Sequence, residues 1–167
     1  MISLFSRLSG QNSAFWRKSK EVRNQSHEGG SVMQKVKITI KNNRFDDEPI
    51  EVVYFGALEE NASSTNVSYK ESELTGMEGV NTQLILKEGH LEILRTGKVE
   101  SKMVFRENHK DDFLYIMEIG TLNMTLETDK LKIVRTHDGY DILIRYNLEI
   151  VGNPVEKSEM NIEIKKN

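Results

Sequence analysis

From Lys35 almost to the C-terminus, apolar and polar residues alternate with a period of two, the pattern of strands that bury one face. Val36, Ile38 and Ile40 alternate with Lys35, Lys37, Thr39 and Lys41. Asn42 to Pro49 reads as a polar loop, after which Ile50, Val52 and Tyr54 carry the pattern through Gly56 to Leu58. Val67 and Tyr69 follow, then Leu84 and Leu86 up to Glu88-Gly89, a tight hairpin signal. Leu91 and Ile93 return, and Val99, Met103 and Phe105 make the next strand. Phe113, Tyr115 and Met117 precede Gly120, with Leu122, Met124 and Leu126 after it. Leu131 and Ile133 run into His137-Asp138-Gly139, a second hairpin signal. The clearest alternation is Tyr140, Ile142, Ile144, Tyr146, Leu148 and Ile150, and Met160, Ile162 and Ile164 close the chain.

Many short strands joined in order, with no helical stripe after Met33, place the chain in the all-β class. The expected architecture is an antiparallel up-and-down β-barrel of about 8–11 strands over residues 33–167, with a sandwich as the competing arrangement. The charged outer face of nearly every strand works against edge-to-edge pairing.

Residues 1–32 differ in texture, being serine-rich and without a sustained apolar period. They carry five basic and two acidic side chains, in a chain with 23 basic and 26 acidic residues overall. This segment is expected to be a disordered extension. His27-Glu28-Gly29-Gly30-Ser31-Val32-Met33 also matches the translation of a bacterial ribosome-binding site placed before an ATG, so Met33 is read as the true start.

Composition narrows the chemistry. A net charge of −3 gives no reason to expect nucleic acid or an anionic membrane as partner. With no cysteine in 167 residues, thiolate nucleophiles, disulfides and zinc ribbons are excluded. His27, His90, His109 and His137 have no second ligand at metal-binding spacing, and no phosphate loop, dinucleotide fingerprint or Gly-x-Ser-x-Gly elbow occurs. The expectation is therefore a protein that is not an enzyme and carries no cofactor or metal.

Charges in the inward phase stand out against this background. Arg95 shares the face of Leu91 and Ile93, and Glu71 shares that of Val67 and Tyr69. A guanidinium inside a barrel costs several kcal/mol unless it is paired. Arg95 is thus an anchor for a carboxylate or phosphate, one half of a structural pair with Glu71 or a tyrosine hydroxyl, or a residue at the barrel mouth in water. Arg135 lies in the phase of Leu131 and Ile133 but borders a turn, where water reaches it.

Several segments come in a characteristic order: Val67-Ser68-Tyr69-Lys70-Glu71, Gly79-Val80-Asn81-Thr82-Gln83-Leu84, Leu94-Arg95-Thr96-Gly97, Met103-Val104-Phe105, and Tyr115-Ile116-Met117-Glu118-Ile119-Gly120-Thr121-Leu122 through Glu127-Thr128. In this the chain resembles the YwiB-like family, bacterial proteins of unknown function. The resemblance covers about Lys35 to Lys165 and implies a calycin-like (lipocalin-like) barrel in a cytoplasmic bacterial setting. It implies no catalytic residues. Barrels of that kind suggest a module holding a small amphipathic or anionic molecule, with Arg95, Glu71, Tyr69, Tyr115, Phe105 and Tyr146 as the interior contributors. The alternative is a barrel filled by its own side chains that serves as a protein–protein interaction or scaffold module.

Overall fold

The structure is a computed structural model that describes residues 32–45 and 47–167. The expectations for residues 1–31 lie outside the described residues. Ten strands follow in order: β1 (Gln34–Arg44), β2 (Ile50–Glu60), β3 (Thr65–Lys70), β4 (Val80–Lys87), β5 (His90–Gly97), β6 (Val99–Phe105), β7 (His109–Met117), β8 (Gly120–Arg135), β9 (Gly139–Ile150) and β10 (Glu156–Lys166). A single 3₁₀ turn (Glu73–Thr75) interrupts the β3–β4 loop. Every neighbouring pair is antiparallel and β1 closes on β10, giving a barrel in strict meander order. Closure leaves no outer edge strand to cap. No helix among the described residues is long and apolar enough to cross a membrane.

The inward phase read from the sequence becomes the core. Twenty-five buried apolar side chains form one cluster through the interior, from Val36, Ile38 and Ile40 on β1 to Met160, Ile162 and Ile164 on β10. Full burial of a leucine, isoleucine or phenylalanine contributes roughly 1.5–3 kcal/mol, so this cluster is the main force holding the wall closed.

Two strand boundaries differ from the sequence reading. The first strand does not end before Asn42: it runs on to Arg44, and Asn42 and Arg44 are both buried on the inner face. Polar side chains there break the apolar pattern without breaking the strand, because the ladder to β10 continues as far as Arg44 opposite Ser158. Likewise Leu122–Leu126 and Leu131–Ile133 belong to one long strand. A bulge between Thr128 and Lys130 shifts the phase, so that Leu131 and Ile133 still face inward opposite Ile144 and Ile142.

Gly56 on β2 fits a close crossing of the wall. A Cβ there would strike the carbonyl oxygen of Ser68 on β3 and press on the Tyr69 side chain. Its absence lets β2 and β3 approach where Gly56 pairs with Tyr69. At the far end of β5, Gly97 has φ 107° and packs on the backbone of Gly79, which accepts a hydrogen bond from the Lys98 amide at 3.3 Å. The β5–β6 turn is thereby fastened to the β3–β4 loop at one end of the barrel. At the other end Glu60 gathers Arg135 (3.2 Å), Lys166 (3.6 Å) and the Tyr140 hydroxyl (3.2 Å). Arg135 is exposed there, as its position beside a turn suggests, yet it is ion-paired.

Candidate functional site

Strand register brings five inward side chains into a row across five strands: Tyr69 on β3, Thr82 on β4, Arg95 on β5, Ser101 on β6 and Tyr115 on β7, each directly opposite the next. All five are buried, Arg95 with 7% and Ser101 with 6% of their surface exposed. Glu71, just past the end of β3, adds a buried carboxylate to the row.

Glu71 is held by hydroxyl donors. Tyr54 donates to its Oε2 at 2.6 Å, Thr82 to its Oε1 at 2.8 Å and Thr75 to its Oε2 at 3.4 Å. The Arg95 Nε stands 3.8 Å from Glu71 Oε1, an ion pair looser than the hydroxyl contacts. The Arg95 Nη1 donates to the Met103 thioether at 3.7 Å, a weak acceptor. Glu71 and Arg95 thus meet as the inward phase suggested, within a network that also takes in Tyr54, Thr75 and Thr82.

The aromatic side chains of the row are kept neutral. Burial pushes the Tyr115 hydroxyl up to about 12, and the Arg95 charge offsets part of this. Burial likewise raises Tyr69 and Tyr54, with the Glu71 carboxylate adding to the effect in both. The Tyr54 and Tyr69 rings lie 4.4 Å apart between centroids, tilted by 30°, and wall the carboxylate on one side.

Phe105 and Tyr146, the other two interior residues singled out from the sequence, sit away from this row. Their rings meet edge to face at 5.5 Å in the core. Tyr146 belongs to a second polar row on the opposite wall, formed by Arg44, Ser158, Tyr146 and Thr128 in direct register across β1, β10, β9 and β8. Arg44 is paired with Asp47 at 3.4 Å and with Glu156 at 3.3 Å. Burial raises Tyr146, while Ser158 and Asn42 beside its hydroxyl and the charges of Arg44 and Arg95 draw it back.

The first row meets an irregular stretch of wall. Pairing between β6 and β7 covers only Val99–Met117, Glu100–Ile116 and Ser101–Tyr115. Continued in register, this ladder would set Arg106 opposite Lys110. The turn instead brings the His109 amide onto the Arg106 carbonyl at 3.2 Å, with Asn108 at φ 56°. One residue of mismatch cannot be absorbed in a regular ladder, so pairing lapses between Ser101 and the turn. Over this seam lies a groove of about 530 Å³, reaching from the outer residues Lys102, Val104, Leu114 and Ile116 to Arg95, Ser101 and Phe113. Ser101 Oγ is buried without a hydrogen-bond partner among the described residues. The sequence reading did not pick out Ser101, Thr82 or Tyr54, though all three lie in the inward phase of their strands.

Fold and site together define a ten-stranded antiparallel barrel whose buried polar row borders a stretch where the β6–β7 ladder lapses. Residues 33–162 match the family described as a domain of unknown function (DUF1934), and the chain belongs to that family. The crystal structure of the ywiB protein from Bacillus subtilis superposes with a TM-score of 0.72 at 22% identity, covering 81% of this chain and 93% of that one. The YwiB-like resemblance therefore holds, and at this identity the likeness bears on the fold. A LolA superfamily protein, NE2245 from Nitrosomonas europaea, aligns over 81% of this chain and 86% of its own at 10% identity, but a TM-score of 0.24 is too low to support an argument. No curated protein shows significant similarity to the chain.

Proposed function

We propose that the protein is a non-catalytic binding module that holds a small amphipathic anion at the β6–β7 seam. The negative group sits on Arg95 and Ser101, and the apolar part lies along Phe113, Leu114 and Ile116. One observation carries this reading: Arg95, a buried cation on β5, is among the residues lining the groove that runs along the β6–β7 seam. A volume of about 530 Å³ suits a small molecule. A cluster of buried apolar side chains runs through the interior, so the seat is put at the wall. Hydroxyls kept neutral by burial at Tyr69 and Tyr115 suit hydrogen bonding better than proton exchange, in keeping with a non-catalytic role.

The test uses 8-anilinonaphthalene-1-sulfonate, an amphipathic anion that fluoresces when it leaves water. Wild type should bind it saturably, and Arg95→Met combined with Glu71→Gln should weaken binding at least tenfold while far-UV circular dichroism stays unchanged. Equal affinity in both proteins would overturn the reading. The interaction-module alternative draws on Leu114 (50% exposed), Ile116 (40%) and Ile119 (79%) along β7 and its turn. It gains if the dye fails to bind and Leu114→Ser with Ile116→Ser abolishes self-association in sedimentation velocity.

A further inference from the structure

Acidic residues are unevenly shared around the barrel. The chain has 26 of them, yet β1, β3 and β4 contain none. On β2 stand Glu51, Glu59 and Glu60, and on β5 only Glu92. Glu51 pairs with Lys41 at 2.9 Å, Glu60 with Arg135 at 3.2 Å and Glu92 with Lys102 at 3.1 Å.

Two outward rows cross the wall that these five strands form. In the first, Lys35 is opposite Ala57, Ala57 opposite Ser68, Ser68 opposite Gln83 and Gln83 opposite Leu94. In the second, Lys37 is opposite Phe55, and Lys70 is opposite Asn81, which in turn faces Thr96. Lys70 follows Tyr69, the partner of Gly56, and so flanks Phe55 on the side away from Lys37. Neither row holds a carboxylate. Lys35, Lys37 and Lys70 are exposed and form no ion pair among the described residues. Phe55 keeps 70% of its surface in water between two of them. Beside it, Ser68, Lys70, Asn81, Gln83, Leu94 and Thr96 line a groove of about 370 Å³.

A lone exposed phenylalanine is ordinary. One flanked by unpaired lysines, next to a groove of amides and hydroxyls, has the make-up of an apolar anchor within a polar rim. Unpaired cations are complementary to a partner of the opposite charge. Five strands at ~4.8 Å spacing span about 20 Å, the length of about six residues of extended chain. A long polyanion would run on past these strands over a molecule of net charge −3, which repels it. A short acidic segment keeps its charges on this wall.

We propose that the outer wall of β1–β5 docks an extended acidic segment of a partner protein, with its carboxylates on Lys35, Lys37 and Lys70 and one apolar side chain on Phe55. This surface does not depend on the seam site. The probe is the acetylated and amidated hexapeptide Glu-Asp-Glu-Leu-Asp-Glu, titrated into the isotope-labelled full chain and followed by backbone amide NMR shifts. Saturable shifts are expected at Lys37, Phe55, Lys70, Asn81 and Gln83, with an affinity that falls as salt is raised. Phe55→Ser should weaken binding about tenfold, and Lys37→Glu with Lys70→Glu by about as much, while far-UV circular dichroism stays unchanged. Replacing the peptide's leucine by serine should weaken binding to wild type about tenfold as well, an arm that needs no protein variant. An absence of binding, shifts centred on Leu114 and Ile116 at the seam, or an affinity indifferent to Phe55 and the lysines overturns the proposal. So does hexathymidylate binding these rows more tightly than the peptide, which would make the partner a nucleic acid.

Discussion

The buried pair Glu71–Arg95 offers the most direct measurement of what the polar row costs and contributes. At 3.8 Å and an effective dielectric of about 20, the two charges attract by roughly 4 kcal/mol. Most of that is offset by the cost of removing both from water, since their side chains are only 3% and 8% exposed. Arg95→Met alone removes the attraction and leaves the Glu71 carboxylate buried on hydroxyl donors only, so it should cost about 3 kcal/mol. Glu71→Gln keeps one acceptor oxygen, turns an amide NH2 towards the other of the Tyr54 and Thr82 hydroxyls, and leaves the guanidinium without its carboxylate, so it should cost about the same. In the double variant neither charge remains, and the total should be about 1–2 kcal/mol, below either single change. The coupling energy is then several kcal/mol, far above the few tenths expected of independent sites. Urea unfolding followed by circular dichroism, extrapolated linearly, reads all four corners of the cycle. If the double variant is as unstable as the two single changes added together, the carboxylate does not hold the guanidinium and the description of the row is wrong.

Two further expectations follow from other parts of the wall. Burial pushes the Glu92 carboxyl up, but hydrogen bonds from Lys102 and His90, with Lys87 behind them, outweigh it and bring the group down to about 2 from 4.5. Its contribution to stability is therefore present above about pH 4.5 and disappears as the pH falls toward 2. Wild type should lose stability faster than Glu92→Gln across that window, and parallel acid-unfolding curves would refute the assignment. Gly56→Ala should lower the melting temperature by about 5–10 °C, because its methyl group meets the backbone of Ser68, which cannot rotate away. An unchanged melting temperature would show that β2 and β3 can separate there at little cost.

The period of two was enough to sort the side chains by face, because a strand allows only two directions. Glu71, Tyr69, Arg95, Phe105, Tyr115 and Tyr146 are all buried as that sorting requires. Which of them touch is a different question, decided by register, and register is set at the turns. The Glu88-Gly89 hairpin already contains part of the answer. A two-residue turn at that position pairs Lys87 with His90 and, counting outward along both strands, Thr82 with Arg95. The same counting from the Glu118-Ile119 turn pairs Tyr115 with Leu122. It cannot reach the pairing of Ser101 with Tyr115 from the Arg106–His109 turn, since that turn and the ladder beyond it disagree by one residue. Periodicity does not reveal such a disagreement, because the inward phase on either side of it is intact: Met103 and Phe105 are buried on β6, and Phe113 and Tyr115 on β7. Where counting from both ends of a hairpin agrees, the wall is sealed by its ladder. Where it differs by one, the ladder lapses, and the inward side chains along the unpaired stretch, Met103 and Phe105 on β6 and Phe113 on β7, stay buried without it.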